Sequence, residues 1–315
     1  MRSFTPVSLS CAYGSGTLGI WRKPAGIDGT MGSMHPVIAP LELAVLLAGP
    51  DAPAVVDVRW SLSGPPGRAG YEAGHLPGAV FLDVDRDLAG PPGPGGRHPL
   101  PEPAALQATL RAAGISEATP VVAYDAADSS VAARLWWLLR WVGHRAVAVL
   151  DGGIAAWQAA GLPVTVEGSR PQPGTITVRP GAMPVLDAAQ AAALACDGVL
   201  LDARAAPRYR GETEPVDPRA GHIPGATNAP FRELTDAQGR WLAQTRLCEL
   251  AQRWGVDGAG VGAYCGSGIN ACALVLGLER AGVTTPQRPA ALYAGSWSQW
   301  CTDTARPVAT GPNRG

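Results

Sequence analysis

The chain has 315 residues, of which 46% are apolar and 16% are charged, and its formal net charge is -1. This length suits two ordinary domains, each with its own core. A chain without a basic excess is a poor candidate for phosphate-driven binding of nucleic acid. No apolar run approaches the roughly 18 residues that a membrane-spanning helix needs. We therefore expect partners other than nucleic acid and membranes.

The cysteines are scattered singly along the chain, at positions 11, 196, 248, 265, 272 and 301. They form no CxxC pair and no Cys/His cluster at zinc spacing. Single cysteines in a chain of this length are typical of a reducing compartment. We expect a cytoplasmic protein without a metal site.

The amino-terminal segment, residues 1–36, is broken by glycine and proline and lacks the compact apolar region of a secretory signal. We expect it to be a disordered extension. The alternative interpretation is a start codon assigned too early, since Met31 and Met34 lie at the end of this segment.

The first half of the chain predicts helices alternating with strands. Pro40 begins a helix, because its fixed φ suits the first helical turn, and Gly49 follows the end of that helix. Short β-branched runs predict buried strands. The predicted elements are helix Pro40–Leu47, strand Ala54–Trp60, strand Val121–Tyr124, helix Val131–Val142 and strand Arg145–Leu150.

Residues 167–184 are rich in proline and glycine and predict a semi-rigid surface linker between domains at residues 37–166 and 185–309, with a tail at 310–315. The order of elements then recurs. Apolar strands that alternate with helices predict an α/β fold with a mainly parallel sheet covered on both faces. The elements predicted after the linker are helix Val185–Leu194, strand Val199–Arg204, strand Val261–Tyr264 and helix Asn270–Ala281.

Four short motifs occur twice in the same order, about 140 to 147 residues apart. This period is too long for a solenoid unit, so it indicates a duplicated domain. The pairs are Ala54–Arg59 with Val199–Arg204, Gly74–Ala79 with Gly221–Ala226, Val122–Asp125 with Gly262–Cys265, and Gly152–Trp157 with Gly295–Trp300.

Cys265 is the candidate nucleophile. It follows the strand Val261–Tyr264 and precedes a helix near Asn270, so it lies at the carboxyl edge of a parallel sheet and at a helix N-terminus. The helix dipole and free backbone N–H groups favour an anion there and raise the thiolate fraction. Gly266 and Gly268 allow a tight loop whose N–H groups converge on one point.

The first half has Asp125 at the position of Cys265. A carboxylate cannot form a persulfide. The duplication therefore predicts one catalytic half and one half with a structural or binding role.

Two further motifs identify a family. Tyr71–Ala79 resembles the amino-terminal rhodanese signature, and Tyr293–Trp300 resembles the carboxyl-terminal one, with Gln299 where the family has an acid. The resemblance covers roughly residues 37–308. It implies tandem rhodanese-like domains of which only the second is catalytic, and it implies no metal and no organic cofactor.

The resemblance also implies roles for individual residues. Arg208 matches the arginine that grips the carboxylate of the donor, and a guanidinium fork suits a carboxylate. The second arginine of the family falls on Asp217, so Arg219 is the nearest substitute. The remaining substrate contacts implied by the loop are Gly266, Gly268, Ile269 and Asn270.

A Ser/His relay is implied as well. Ser267 matches a loop serine that polarises the donor or relays a proton, and His75 matches the histidine that works with it. The acid of this relay falls on Pro66, which leaves the relay incomplete.

The loop after Cys265 resembles that of 3-mercaptopyruvate sulfurtransferases, because it lacks the two basic side chains that suit the thiosulfate dianion. The predicted reaction moves sulfur from 3-mercaptopyruvate through a Cys265 persulfide to cyanide or to a thiol such as thioredoxin. Thiosulfate as donor and a non-catalytic sulfur-carrying or binding module remain alternatives. A phosphatase of the Cys-x5-Arg type is excluded, because position 271 is Ala271.

Other prominent side chains have structural interpretations. Trp136, Trp137 and Trp141 are expected in the helix core or at the domain interface, and Cys272 in the core. His222 belongs to a repeated turn and is expected to be structural, and Arg204 is expected to pair with Asp202.

Overall fold

The computed structural model describes residues 35–257 and 260–315, which form two α/β domains built alike. Of the predicted extension, residues 1–36, positions 1–34 lie outside the described residues. No helix in this part of the chain has both the length and the apolar character needed to cross a bilayer.

The first domain contains a five-stranded parallel sheet with the order β1-β5-β4-β2-β3. Its central strands are short and fully buried, because helices cover both faces of the sheet. Its elements are β1 (Val37–Ile38), α1 (Pro40–Leu47), β2 (Ala54–Asp57), α2 (Gly67–Ala73), β3 (Val80–Phe81), α3 (Val84–Asp87), α4 (Pro103–Ala112), β4 (Val121–Tyr124), α5 (Ala132–Trp141), β5 (Val147–Leu150) and α6 (Gly153–Ala159).

The second domain repeats this arrangement with a four-stranded parallel sheet of order β7-β6-β8-β9. This order corresponds to β3-β2-β4-β5 of the first sheet, as the duplication predicts. Its elements are α7 (Ala188–Asp197), β6 (Val199–Asp202), α8 (Ala206–Tyr209), β7 (Thr227–Asn228), a 3-10 helix (Phe231–Leu234), α9 (Gln244–Arg253), β8 (Val261–Tyr264), α10 (Ala271–Ala281), β9 (Ala291–Leu292) and α11 (Ser296–Trp300).

The predicted strands and helices are confirmed to within three residues at each end, and α7 is shifted by three residues at both ends. This helix was expected from Val185 but begins at Ala188. Val185 instead bridges to the sheet at Leu292, and Asp187 caps the helix by accepting a hydrogen bond from the N–H of Gln190. The cap therefore sets the helix start.

The two domains share a continuous apolar core in which α5 packs against α10. The prediction that Trp136, Trp137 and Trp141 belong to the core is confirmed, since all three are buried. Arg140 on α5 also forms a buried ion pair of 3.2 Å with Glu279 on α10. This packing holds the amino-terminal end of α5 beside the loop that precedes α10.

Candidate active site

Cys265 lies between β8 and α10, at the carboxyl edge of the second sheet. Its side chain is nearly buried, with 4% of the residue exposed. The N–H of Gly268 donates a hydrogen bond of 3.1 Å to Cys265 Sγ. The sulfur therefore lies inside the turn of the loop, where backbone N–H groups stabilise negative charge.

Gly268 has a conformation and a packing environment that only glycine meets. Its φ is +82°, and a Cβ atom there would lie 2.4 Å from the carbonyl oxygen of Ala294. An alanine would bring both strain and a clash, so the loop would have to move away from Ala294.

The carboxyl-terminal signature holds the same loop from the other side. The N–H of Trp297 donates to the carbonyl of Cys265 at 3.0 Å, and the N–H of Ser298 donates to that of Gly266 at 2.9 Å. The N–H of Cys265 in turn donates to Ser296 Oγ at 3.1 Å. Residues of α11 thus fix the backbone of the loop.

The side chains that follow Gly268 differ in their surroundings. Ile269 is buried in the common core, and Asn270 occupies the cap position of α10 without a side-chain capping bond. Cys272 is fully buried, its thiol donates to the carbonyl of Gly268, and burial raises its pKa to about 12. Cys272 is therefore a core residue, as expected, and a poor nucleophile.

The equivalent loop of the first domain is filled by its own carboxylate. Asp125 Oδ1 accepts hydrogen bonds from the N–H groups of Ala127 and Ser129, and Oδ2 accepts from those of Val131 and Ala132. The distances range from 2.9 to 3.2 Å. A loop of this geometry therefore suits an anion. In the first domain the loop holds the Asp125 carboxylate, and in the second domain it surrounds the Cys265 thiol.

Ser267 is bound by a histidine that sequence analysis missed. His98 Nδ1 lies 2.7 Å from Ser267 Oγ, and its Nε2 lies 2.8 Å from Asp85 Oδ1. Burial lowers the pKa of His98, while the bond to Asp85 partly opposes this effect. A neutral His98 that donates from Nε2 to Asp85 can accept the hydroxyl proton of Ser267 at Nδ1.

The prediction that His75 works with Ser267 is wrong. His75 is fully buried in the first domain and stacks on Tyr71 with 3.8 Å between ring centroids. Its Nδ1 lies 2.7 Å from the carbonyl oxygen of Tyr71, and its Nε2 lies 3.1 Å from that of Glu167. Both ring nitrogens are used to hold the turn, so His75 is structural.

The duplication contained the signal that would have identified this role. His222, the repeat equivalent of His75, stacks on Tyr209 at 3.7 Å and contacts its carbonyl oxygen in the same way. His222 was expected to be structural, and the same argument applies to its equivalent. Asp85 completes the relay in the structure, so the match of its acid to Pro66 is also wrong.

Arg208 lies beside the Cys265 loop together with Arg97 of the first domain. Arg208 Nη1 and Arg97 Nη2 each lie 3.4 Å from the position that a Cβ atom would occupy on Gly266. Asp217 binds both, at 2.9 Å from Arg97 Nη1 and 3.2 Å from Arg208 Nη2. Glu214 also binds Arg208 Nη2 at 2.5 Å. Two guanidinium groups and two carboxylates thus lie next to the nucleophile loop.

Basic side chains from elsewhere in the chain flank the loop after Cys265. The loop itself carries none, but tertiary contacts bring Arg97 and Arg208 to Gly266. The carboxylates of Glu214 and Asp217 balance the charges of the two guanidinium groups. These four side chains therefore add no net positive charge to the site.

The expectation for Arg219 is also wrong. Its Nη1 donates to the carbonyl of Asp303 at 3.0 Å, and its Nη2 donates to that of Arg306 at 3.1 Å. The guanidinium group therefore ties down the segment after α11. The segment before Gly221 therefore does not bring the Arg219 side chain to the Cys265 loop.

Arg134 is a fully buried cation at the start of α5. It donates to the carbonyl of Gly268 at 3.3 Å and to those of His98 and Pro99 at 3.2 Å. It also donates to the carbonyl of Leu88 at 3.3 Å. Arg134 thus joins the two chain segments that hold Ser267 and His98.

The chain matches the family model "Rhodanese-like domain" twice, at residues 40–160 and 187–303. It is 47% identical over 280 residues to a probable 3-mercaptopyruvate sulfurtransferase of Pseudomonas aeruginosa, which covers 86% of this chain and 96% of the relative. It is 43% identical over 283 residues to the putative thiosulfate sulfurtransferase SseB of Mycobacterium tuberculosis, with coverage of 87% and 97%. The 3-mercaptopyruvate sulfurtransferase structure SseA of Escherichia coli superposes with a TM-score of 0.74 at 28% identity, covering 84% of this chain and all of the other. The chain therefore belongs to the rhodanese family and consists of two rhodanese-like domains.

Proposed function

We propose that this protein is a sulfurtransferase that moves sulfur from 3-mercaptopyruvate, through a persulfide on Cys265, to cyanide or a thiol. The observation that carries this proposal is the position of Cys265 Sγ inside a loop whose counterpart holds the carboxylate of Asp125 with four N–H groups. A persulfide anion suits the same donors. The name of the Pseudomonas aeruginosa relative supports the choice of donor.

The proposed reaction begins when Arg208 binds the donor's carboxylate beside Gly266. The Cys265 thiolate attacks the sulfur of 3-mercaptopyruvate, and a new S–S bond forms. The carbon–sulfur bond breaks, and its electron pair stays on the three-carbon fragment as the enolate of pyruvate. The thiol proton of the donor passes through the Ser267 hydroxyl to neutral His98 and returns through the same hydroxyl to the enolate. This gives pyruvate and leaves the Cys265 persulfide as an anion.

The second half-reaction regenerates the thiolate. Cyanide attacks the outer sulfur and leaves as thiocyanate, or a thiolate takes that sulfur and becomes a persulfide. Reduced thioredoxin is one acceptor of this kind. The two steps make a ping-pong scheme that uses the chain's own residues and needs no metal or organic cofactor.

Thiosulfate is the second candidate donor, and the name of the Mycobacterium tuberculosis relative favours it. Arg97 and Arg208 bring positive charge to the loop, which a dianion requires. Glu214 and Asp217 offset that charge, so we favour a donor with a single carboxylate. We also propose a cytoplasmic location, supported by the five described cysteines, none of which forms a disulfide.

The test is steady-state kinetics with both donors, against cyanide and against reduced thioredoxin, for the wild type and Cys265→Ser. We expect a higher kcat/KM for 3-mercaptopyruvate and no turnover by the variant. Mass spectrometry after donor treatment should place one added sulfur on Cys265 only. A persulfide on Cys301, or a higher kcat/KM for thiosulfate, would count against the proposal. Absence of any persulfide would favour a non-catalytic binding module.

A further inference from the structure

We propose that Arg97 of the first domain is the second arginine that binds the donor's carboxylate, opposite Arg208 of the second domain. This inference rests on the proposed transfer of sulfur from a carboxylate-bearing donor. It assigns to the non-catalytic domain a direct part in selecting the donor.

The space between Gly266 and the guanidinium nitrogens of Arg97 and Arg208 leaves room for a ligand. Arg208 Nη1 and Arg97 Nη2 approach the same point, 3.4 Å from the place of a Cβ atom on Gly266, and glycine leaves that space open. Arg97 Nε is buried, and no described residue accepts a hydrogen bond from it. An unpaired buried N–H is costly, so an anion that reached this nitrogen would bind favourably.

The two arginines already bind one carboxylate together. Asp217, which is nearly buried, lies between them and contacts Arg97 Nη1 and Arg208 Nη2. It holds the guanidinium groups close to each other despite their like charge. It also shows that their spacing fits a carboxylate, which guanidinium groups recognise well.

The backbone around Arg97 is anchored against the catalytic domain. The N–H of Arg97 donates to Ser298 Oγ at 3.0 Å. The preceding Gly96 has a φ of +101°, and a Cβ atom there would lie 2.6 Å from the carbonyl oxygen of Gly295. Only glycine permits this close approach, which places Arg97 beside the Cys265 loop.

Arg97 is the chain neighbour of His98, which contacts Ser267. One segment of the first domain therefore presents a cation for the donor's carboxylate and the partner of the loop serine. A donor bound between Arg97 and Arg208 would have its carboxylate fixed from both domains, which favours a 2-oxo acid over a donor without a carboxylate.

The test compares Arg97→Met and Arg97→Lys with Arg68→Met, a control at an exposed arginine of the same domain that pairs with Glu72. The first measurement is KM and kcat for 3-mercaptopyruvate. The second is the concentration of pyruvate that halves the alkylation of Cys265 by iodoacetamide, relative to each variant's own unprotected rate. Pyruvate carries the carboxylate but no sulfur, so this second measurement reports binding without turnover.

We expect Arg97→Met to raise both KM and the protecting concentration of pyruvate about tenfold or more, the factor that loss of a charge-assisted hydrogen bond produces. kcat should fall less than KM rises, Arg97→Lys should recover part of the loss, and Arg68→Met should match the wild type. KM and pyruvate protection within about twofold of the wild type for Arg97→Met would overturn the inference.

Two further outcomes separate the inference from other effects. If the wild type does not turn over 3-mercaptopyruvate, the proposed function fails. The role of Arg97 is then decided by the concentration of pyruvate that protects Cys265 from alkylation. If Arg97→Met does not fold because Asp217 loses one of its two arginine partners, the double variant Arg97→Gln/Asp217→Asn removes the charge of that carboxylate. The same tenfold rise in the protecting concentration is then expected, and wild-type protection would overturn the inference.

Discussion

His98 Nδ1 lies 2.7 Å from Ser267 Oγ, so a side chain of the first domain contacts the nucleophile loop of the second. The chain segment before α4 brings His98 there, and Arg134 on α5 binds the carbonyls of both His98 and Gly268. The domain without a nucleophilic cysteine therefore takes part in building the active site.

The histidine that assists the reaction should be His98 and not His75. We expect His98→Asn to lower kcat/KM by about 100-fold, at the lower end of what a general acid–base group contributes, while the protein keeps its melting temperature within a few degrees. Steady-state kinetics and thermal unfolding measure the two effects.

The matched variant is His75→Ala. It removes a buried ring that stacks on Tyr71 and contacts two carbonyls, so we expect a loss of about 2–3 kcal/mol in the free energy of unfolding. Its kcat at a temperature where it stays folded should change less than fivefold, about 1 kcal/mol. A large loss of kcat in His75→Ala with normal kinetics in His98→Asn would reverse the assignment.

The pH dependence should follow from the neutral state of His98. Burial lowers its pKa below the ordinary value of 6.5, so kcat/KM should remain flat as the pH falls to 6.5 and decline only below it. Asp85 raises the pKa of His98, so Asp85→Asn should move this acid limb to a still lower pH while reducing kcat. The stability linked to neutral His98 has the same sign: it is present above 6.5 and is lost as the pH falls through the folded pKa. An acid limb that moves upward in Asp85→Asn would contradict this account.

Substitution of Arg208 and substitution of Arg219 should differ sharply in their effect on the KM for the donor. Arg208→Ala removes a charge-assisted bond, and we expect KM for 3-mercaptopyruvate to rise about 10- to 150-fold, which corresponds to about 1.5–3 kcal/mol. Arg219→Ala should leave KM within about twofold, or about 0.4 kcal/mol, because its guanidinium group binds carbonyls of the segment after α11. A rise in KM only in Arg219→Ala would show that the donor's carboxylate binds near Arg219 and not near Arg208.

Gly268→Ala should inactivate the enzyme without unfolding it. The added Cβ would meet the carbonyl oxygen of Ala294 at 2.4 Å, and the positive φ would be strained. We expect the N–H that donates to Cys265 Sγ to be displaced, with a loss of persulfide formation and a cost of about 1–3 kcal/mol in stability. Gly78→Ala is the control, because Gly78 also has a positive φ but has open space around its Cβ position. Wild-type rates of persulfide formation in Gly268→Ala would contradict the importance of this turn.

Asp125 should matter for stability and not for turnover. Removing it in Asp125→Ala leaves four N–H groups without their acceptor, so we expect a loss of about 2 kcal/mol near pH 5. Burial, together with the nearby charge of Asp128, raises the pKa of Asp125 to about 6, because these effects outweigh the hydrogen bonds from the N–H groups, which lower it. The stability linked to this raised pKa is present below the ordinary value and is lost as the pH rises through about 6, so the difference between wild type and variant should shrink toward pH 7. Denaturant unfolding at several pH values measures this, and a difference that grows with pH would contradict it.

Sequence patterns predicted the duplicated α/β architecture, the bounds of most elements and the position of Cys265. These features depend on local information: apolar periodicity sets strands and helices, and the repeat aligns Cys265 with Asp125. The roles of His222, Cys272 and Arg204 were predicted for the same reason, since each follows from its immediate surroundings. Arg204, for example, binds Asp202 of the same motif at 2.6 Å.

The tertiary structure alone decided which side chains surround the nucleophile. Asp85, Arg97, His98 and Arg134 come from the other domain, far from Cys265 in the chain, and most of them lie in or beside a glycine- and proline-rich segment. Such a segment has no apolar periodicity that would predict which loop it faces. Its position follows from the packing of α5 on α10 and from close backbone contacts such as that of Gly96 with Gly295. Sequence therefore determined where the candidate nucleophile lies, and the docking of the two domains determined which side chains surround it.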